Sequence, residues 1–86
     1  MAGLTDMRNI GREMARKLTA VGIGSPEALT RAGAKEAFFM MKTVYPRVCL
    51  VHLYALEGAI EDVDYNCLSA EKKRELKEFS DRLKSC

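Results

Sequence analysis

Apolar residues recur along most of the chain at spacings of three and four, the repeat of an amphipathic helix. Strict alternation of apolar and polar residues does not persist, and β-branched residues are few, so the sequence predicts no strand. The pattern therefore indicates an all-α fold of about five short helices in one compact domain over residues 1–86. The predicted helices cover about residues 12–21, 26–33, 34–45 and 48–60, and a last helix follows Ser69.

Residues with known helix-end preferences mark where these elements begin and end. Thr5 is predicted to cap a short opening turn over residues 6–8. Ser25 precedes a proline, and Ser69 has an acidic residue two positions later, so both serines are predicted N-caps. Gly22 is predicted to end the helix before it, and Pro46 is predicted to stop the fourth helix.

The segment 48–60 is apolar on nearly all sides, which is typical of a helix that other helices surround. Leu53, Leu56 and Ile60 are predicted to be buried there. Gly58 is unfavourable inside a helix, so we expect the backbone of another helix to approach it closely. Glu57 is expected either at the helix edge in water or in a structural pairing with a buried partner, and the pairing is favoured over a binding role.

The composition is that of a globular domain, with 48% hydrophobic and 30% charged residues. The formal net charge of +2 is unevenly distributed. Residues 1–47 contain eight basic and four acidic residues, whereas residues 48–65 contain four acids and no lysine or arginine. The first half therefore permits contact with phosphate but lacks the strong basic stripe of a dedicated nucleic-acid binder.

Three cysteines at wide spacing predict free thiols in a reducing cytoplasm rather than a disulfide framework. No signal peptide is evident at the N-terminus, and the longest apolar run falls short of the roughly 20 residues that cross a bilayer. We therefore expect a cytoplasmic protein with no membrane contact.

Cys49 and His52 are three residues apart on one helix face, and Cys67 offers a possible third metal ligand. The closely paired cysteines of zinc sites are absent, so we interpret Cys49 as a small core residue and His52 as a polar residue at the core edge. A nucleophilic Cys–His pair would also need an orienting group and a pocket. The sequence thus predicts no metal, no cofactor, no small-molecule substrate and no enzymatic activity.

The stretch from Met7 to Leu18 resembles a helix-hairpin-helix unit, in which a tight turn precedes the second helix. Asn9 and Gly11 both suit such a turn. In that family the exposed N–H groups at the start of the second helix bind a DNA phosphate without reading the base sequence. The alternative is a purely architectural hairpin, because the carboxylate of Glu13 would repel a phosphate there. The candidate DNA-phosphate residues are Arg8, Asn9, Gly11, Arg12 and Arg16.

Residues 38–41 are four large apolar side chains in a row, more than one helix face can bury. Phe38 and Met41 are predicted to face the core. Phe39 and Met40 are a candidate protein interface, through which two copies of the chain could associate. The alternative is that Phe39 packs beneath the last helix, against Phe79 or Leu83.

An ordered set of short motifs covers nearly the whole chain and resembles the C-terminal domain of the TfoX competence regulators. The motifs are Asn9-Ile10-Gly11, Val21-Gly22-Ile23, Ala32-Gly33-Ala34, Leu53 to Ala59, Leu68-Ser69 and Arg74-Glu75-Leu76. The resemblance implies a five-helix domain in bacterial regulators of DNA uptake and competence genes. It favours a non-enzymatic regulatory or binding module that contacts protein, a second copy of itself or DNA. The alternative is a non-specific DNA-binding helix-hairpin-helix domain.

Overall fold

The structure is a computed structural model that describes residues 3–85, and the side chains of residues 3–83. The described chain forms five α-helices and contains no strand, which confirms the predicted all-α fold. Short 3-10 turns lie before the first helix and between the last two. The helices are α1 (Arg12–Ala20), α2 (Pro26–Ala32), α3 (Ala34–Val44), α4 (Leu50–Glu61) and α5 (Ala70–Ser85), and the 3-10 turns are Leu4–Asp6 and Tyr65–Cys67.

The predicted N-caps of α2 and α5 are present. The Ser25 hydroxyl accepts a hydrogen bond from the Ala28 N–H at 3.1 Å, and the Ser69 hydroxyl accepts one from the Lys72 N–H at 3.1 Å. Each bond satisfies a backbone donor that has no partner within the first helical turn. Gly33, with φ at 87°, separates α2 from α3, because a left-handed residue cannot continue either helix.

The opening turn differs from the prediction. Thr5 is not its cap, because the turn begins at Leu4 and includes Thr5 as its second residue. The Asp6 carboxylate closes the turn by accepting a hydrogen bond from the Gly3 N–H at 2.8 Å. The first arm of the predicted hairpin is therefore one 3-10 turn that lies two residues earlier than expected. The chain then reverses at Asn9, whose φ of 71° confirms the left-handed turn.

Helix α4 lies at the centre of the fold and packs against α2, α3 and α5. Leu53 and Leu56 are fully buried, as predicted, whereas Ile60 is only partly buried at the edge of the core. Phe38 and Met41 meet this core from α3, also as predicted. Burial of an apolar helix on several sides is the main source of stability in a domain of this size.

Candidate functional site

An open groove of about 360 Å³ lies between α3 and the C-terminal part of α5. Phe39, Lys42, Thr43 and Leu83 line it. Phe39 is 43% exposed, because the neighbouring Phe38 takes the inward position on α3. Leu83 is partly buried on the opposite side. Phe39 and Leu83 therefore line the same groove, but Phe39 is exposed rather than packed beneath the last helix.

Lys42 contributes its aliphatic chain to the groove, while its ammonium group is engaged at the end of α3. The Nζ atom donates to the carbonyl oxygens of Pro46 at 3.1 Å and Val48 at 3.0 Å. It also lies 5.9 Å from the centre of the Phe38 ring, within the range of a cation–π contact. The groove is consequently a mostly apolar surface, and its one lysine keeps its positive charge but directs its ammonium donors toward backbone carbonyl oxygens.

Met40, the second residue of the predicted interface, lies apart from the groove lining. It is partly buried and packs against the hydrophobic core. The sequence analysis named Leu83 as a possible neighbour of Phe39 beneath the last helix, and it did not include Thr43 in the candidate interface. The helical spacing of Phe39 and Thr43 places both on one face of α3, which was the available signal.

The predicted DNA-phosphate residues do not form one helical row. Arg12 and Arg16 lie on α1, whereas Arg8 precedes the helix and lies in the turn. Arg16 pairs with Glu13 at 2.6 Å, and Arg8 lies 3.7 Å from Asp62. The guanidinium of Arg16 lowers the pKa of the exposed Glu13 carboxyl, so this pair stays charged near neutral pH. Arg12 is exposed at the first position of the helix.

Gly11, the fourth candidate, is the residue that precedes α1. Its φ of −94° lies in the extended region, so its backbone does not require glycine. No side chain caps α1 at this position. The first-turn N–H groups next to Arg12 thus lack a side-chain acceptor from the cap residue.

Asn9, the remaining candidate, points into the protein rather than toward solvent. Its side-chain amide donates to the carbonyl oxygen of Val63 at 2.9 Å, and its Oδ1 accepts from the Tyr65 N–H at 3.4 Å. These two bonds tie the N-terminal turn to the segment that follows α4. The structure therefore gives Asn9 a structural role, with its side-chain donors and acceptor turned away from a bound phosphate.

The same contact explains why residue 58 is a glycine. A Cβ atom built on Gly58 would overlap the Asn9 Nδ2 atom and would lie 2.7 Å from the carbonyl oxygen of Val63. The expected close approach is real, but it comes from a side chain and a loop rather than from the backbone of another helix. The sequence offers no signal for it, since residues 9 and 58 are far apart along the chain.

Cys49 was predicted in the core, and this prediction is wrong. Cys49 is exposed and immediately precedes α4, while His52 is half-buried at the core edge as predicted. The His52 Nδ1 atom accepts a hydrogen bond from the Cys49 N–H at 3.1 Å and lies 3.4 Å from Cys49 Sγ. Burial lowers the pKa of His52, and the nearby charge of Lys17 lowers it further. Among the residues that the structure describes, no three His, Cys, Asp or Glu side chains could hold a metal ion together.

Glu57 is half-buried on α4 and belongs to an electrostatic cluster that spans three helices. Burial and a hydrogen bond with Glu61 raise its pKa to about 7, and the charge of Lys72 opposes this shift. Lys72 lies 3.6 Å from Glu75, and Lys35 of α3 bonds the same carboxylate at 2.7 Å. The partner of Glu57 in this cluster is the carboxyl group of the exposed Glu61, so the predicted pairing with a buried partner is wrong.

Comparisons with known proteins identify similar chains. The model of the TfoX C-terminal domain matches residues 1–80. An uncharacterised protein from Listeria monocytogenes, solved in a triclinic crystal form, is 38% identical and superposes with a TM-score of 0.95 over 96% of this chain and 94% of its own. A protein of unknown function from Listeria monocytogenes, solved in a tetragonal form, is 39% identical, with a TM-score of 0.91 over 93% of this chain and 98% of its own. No curated protein sequence matches.

Within residues 3–85, no helix combines the length and the apolar character needed to cross a membrane.

Proposed function

Because the chain belongs to the TfoX C-terminal domain family, we propose that it is a non-enzymatic regulatory module that acts by binding other macromolecules, among them a second copy of itself. The observation that carries this proposal is the groove beside Phe39. The groove is open and apolar, and a large exposed aromatic ring stands at its edge. Exposed apolar surface of this kind is typical of protein contact sites.

A second copy fits the groove for reasons of symmetry and charge. In a two-fold contact the same surface serves both chains, so Phe39 of each chain can enter the groove of the other. Such a contact pairs each lining residue with a different residue of the other chain, so it suits an apolar lining whose charged group is directed away from the contact. Lys42 is the charged residue of the lining, and its ammonium group is held by the carbonyl oxygens of Pro46 and Val48. The groove is small, so the expected dimer is weak.

Sedimentation equilibrium of the wild type and two matched variants tests this proposal. Phe39→Lys places a charge at the groove, whereas Val44→Lys places the same charge at another exposed apolar position on α3, outside the lining. We expect a concentration-dependent dimer in the wild type and in Val44→Lys, and a folded monomer in Phe39→Lys. A wild type that stays monomeric up to millimolar concentration would contradict self-association through this groove.

Non-specific DNA binding through α1 is the second candidate. It is supported by the exposed Arg12 at a helix N-terminus that no side chain caps. The ion pairs of Arg8 and Arg16 and the inward orientation of Asn9 leave Arg12 and the backbone of Gly11 as its best contacts. Phosphate contacts of this kind give binding that weakens steeply as salt is added.

We place the protein in the bacterial cytoplasm, where thiols stay reduced. The free state of Cys49 and Cys67 supports this location.

A further inference from the structure

Cys49, His52 and Lys17 form a cluster of nucleophilic and titratable side chains that neither proposed binding surface uses. Cys49 is exposed, His52 lies in the first turn of α4, and Lys17 approaches from α1. We propose that Cys49 is a site of reversible modification, where its thiol exchanges with small disulfides that carry negative charge. This property is independent of self-association and of DNA binding.

The geometry places a proton acceptor beside the thiol. The His52 Nδ1 atom accepts from the Cys49 N–H, so the ring proton is assigned to Nε2. The Nδ1 lone pair thus points at the Cys49 backbone N–H, and Cys49 Sγ lies 3.4 Å from the same nitrogen, within reach of a shared S–H···N contact. Burial and the charge of Lys17 lower the pKa of His52, so the ring is neutral near pH 7 and Nδ1 keeps its lone pair. A cysteine with an adjacent base is the general arrangement of an activated thiol.

The positive charge of Lys17, on α1, acts on the first turn of α4, because it lowers the pKa of the His52 ring beside Cys49. The Lys17 ammonium itself lies 5.5 Å from the centre of the Tyr45 ring. The first turn of α4 contains no acidic residue, so no carboxylate of that turn offsets its N–H groups. Negative charge that develops on sulfur during exchange is stabilised by such surroundings, as is an approaching anion.

The reaction is thiol–disulfide exchange. The Cys49 thiol gives up its proton to His52, and the sulfur attacks one sulfur of the disulfide. A new S–S bond forms to the protein while the S–S bond of the reagent breaks, and the departing thiolate takes the proton. The protein thiol is oxidised to a mixed disulfide, and half of the small disulfide is reduced to a thiol.

Cys67 provides a control within the same molecule. It is also exposed, and it ends the second 3-10 turn. Asp64 caps that turn by accepting from the Asn66 N–H at 2.9 Å, and the Lys73 ammonium bonds the Asn66 carbonyl oxygen at 3.3 Å. One acid and one base thus flank Cys67, whereas the charge that acts on the His52 ring beside Cys49 is the positive one of Lys17. Charge selectivity is therefore expected at Cys49 and not at Cys67.

The test measures the rates at which the Cys49 and Cys67 thiols exchange with a small disulfide. It uses a Cys86→Ser protein at pH 7.5, with acid quenching and peptide mass spectrometry. Glutathione disulfide is the anionic probe and cystamine is the cationic probe. With glutathione disulfide we expect Cys49 to react about two- to fivefold faster than Cys67, and we expect this ratio to fall with cystamine. A Cys49/Cys67 ratio that is the same for both probes would overturn the proposal.

Three conservative variants separate the roles of charge and base. Lys17→Gln should slow Cys49 toward glutathione disulfide by about two- to fivefold without changing Cys67, and Lys17→Arg should restore the rate. His52→Gln keeps a side-chain acceptor for the Cys49 N–H but removes the base, so Cys49 should slow toward both probes. Unchanged Cys49 rates in Lys17→Gln and His52→Gln would show that exposure alone sets its reactivity. The wild-type ratio tests the proposal even if a variant fails to fold, which circular dichroism detects.

Discussion

The side-chain nitrogen of Asn9 occupies the space that a Cβ on residue 58 would need, so Asn9 and Gly58 fit together as one contact. The contact joins the N-terminal turn to the central helix across most of the sequence. Asn9 tolerates the left-handed backbone of that turn and also supplies an amide that bonds the Val63 carbonyl oxygen. One residue therefore sets both the direction of the chain and its attachment to the core.

Gly58→Ala should destabilise the protein by about 1–3 kcal/mol, because the added methyl group overlaps Asn9 and the Val63 carbonyl oxygen. In an ordinary helix the same change would stabilise by up to about 1 kcal/mol. Urea unfolding measures the difference. Gly24→Ala is the matched control, since a Cβ there meets nothing within 4 Å, and its effect should be small. The double variant Asn9→Gly/Gly58→Ala should cost less than the sum of its single changes. Simple additivity would show that the two residues do not share this space.

Leu56→Ala should cost roughly 2–5 kcal/mol, because Leu56 is fully buried on the helix that the others surround. Thermal unfolding provides the measurement. Val51→Ala on the same helix is the control, since Val51 is 54% exposed and its truncation should change stability little. An unchanged melting temperature in Leu56→Ala would mean that α4 is not central to the fold.

The stability of the protein should fall as pH rises from about 4.5 to about 7. Glu57 has a pKa of about 7 in the folded state, above its ordinary value of 4.5, so the folded state binds the extra proton in this range. Stability that depends on this proton is complete below the unfolded pKa and is lost as pH rises through the folded pKa. Chemical unfolding at a series of pH values measures the slope.

Glu57→Gln should flatten this slope and should be most stabilising, relative to the wild type, above pH 7. Glu78→Gln, an exposed acid on α5, should leave the slope in place. Glu75 responds in the opposite direction at lower pH, because its bond with Lys35 lowers the pKa of its carboxyl. If the dependence of stability on pH were unchanged in Glu57→Gln, a group other than Glu57 would be its cause.

Arg12→Glu should abolish any binding of duplex DNA at low salt, because it reverses the charge at the start of α1. Fluorescence anisotropy with a labelled duplex checks this, and Arg31→Glu on α2 is the charge-matched control. If DNA is bound, the wild type and Arg31→Glu should bind more weakly as salt rises. Equal DNA-binding curves for all three proteins would show that the start of α1 does not contact the DNA.

The parts of the fold that could be predicted from the sequence are those with a local cause. Ser25 and Ser69 cap helices through bonds to residues three positions away, and the spacing of Phe38 and Met41 determines which face of α3 is buried. The predictions that were wrong depended on distant contacts. The pairing of Asn9 with Gly58 could not be read from local patterns, nor could the exposure of Cys49, which depends on where the chain enters α4.

The candidate sites also contain some features with a local cause and others that depend on the tertiary structure. The excess of apolar residues on α3 predicted a surface position for Phe39 as one of two alternatives, since one helix face cannot bury four consecutive large side chains. The groove arises where α5 meets α3, and the choice of Leu83 over Phe79 as its other wall required the tertiary structure. Likewise, the effect of Lys17 on His52 depends on the tertiary structure, because the two residues lie on different helices.

Isotope-filtered NMR tests self-association through the groove most directly. A mixture of ¹³C-labelled and unlabelled protein at high concentration reports only contacts between different chains. We predict intermolecular NOEs between the Phe39 ring and the Leu83 methyl groups, and their loss in Phe39→Lys but not in Val44→Lys. Exclusively intramolecular NOEs between these residues, at a concentration where the wild type sediments as a dimer, would place the interface elsewhere and contradict the account.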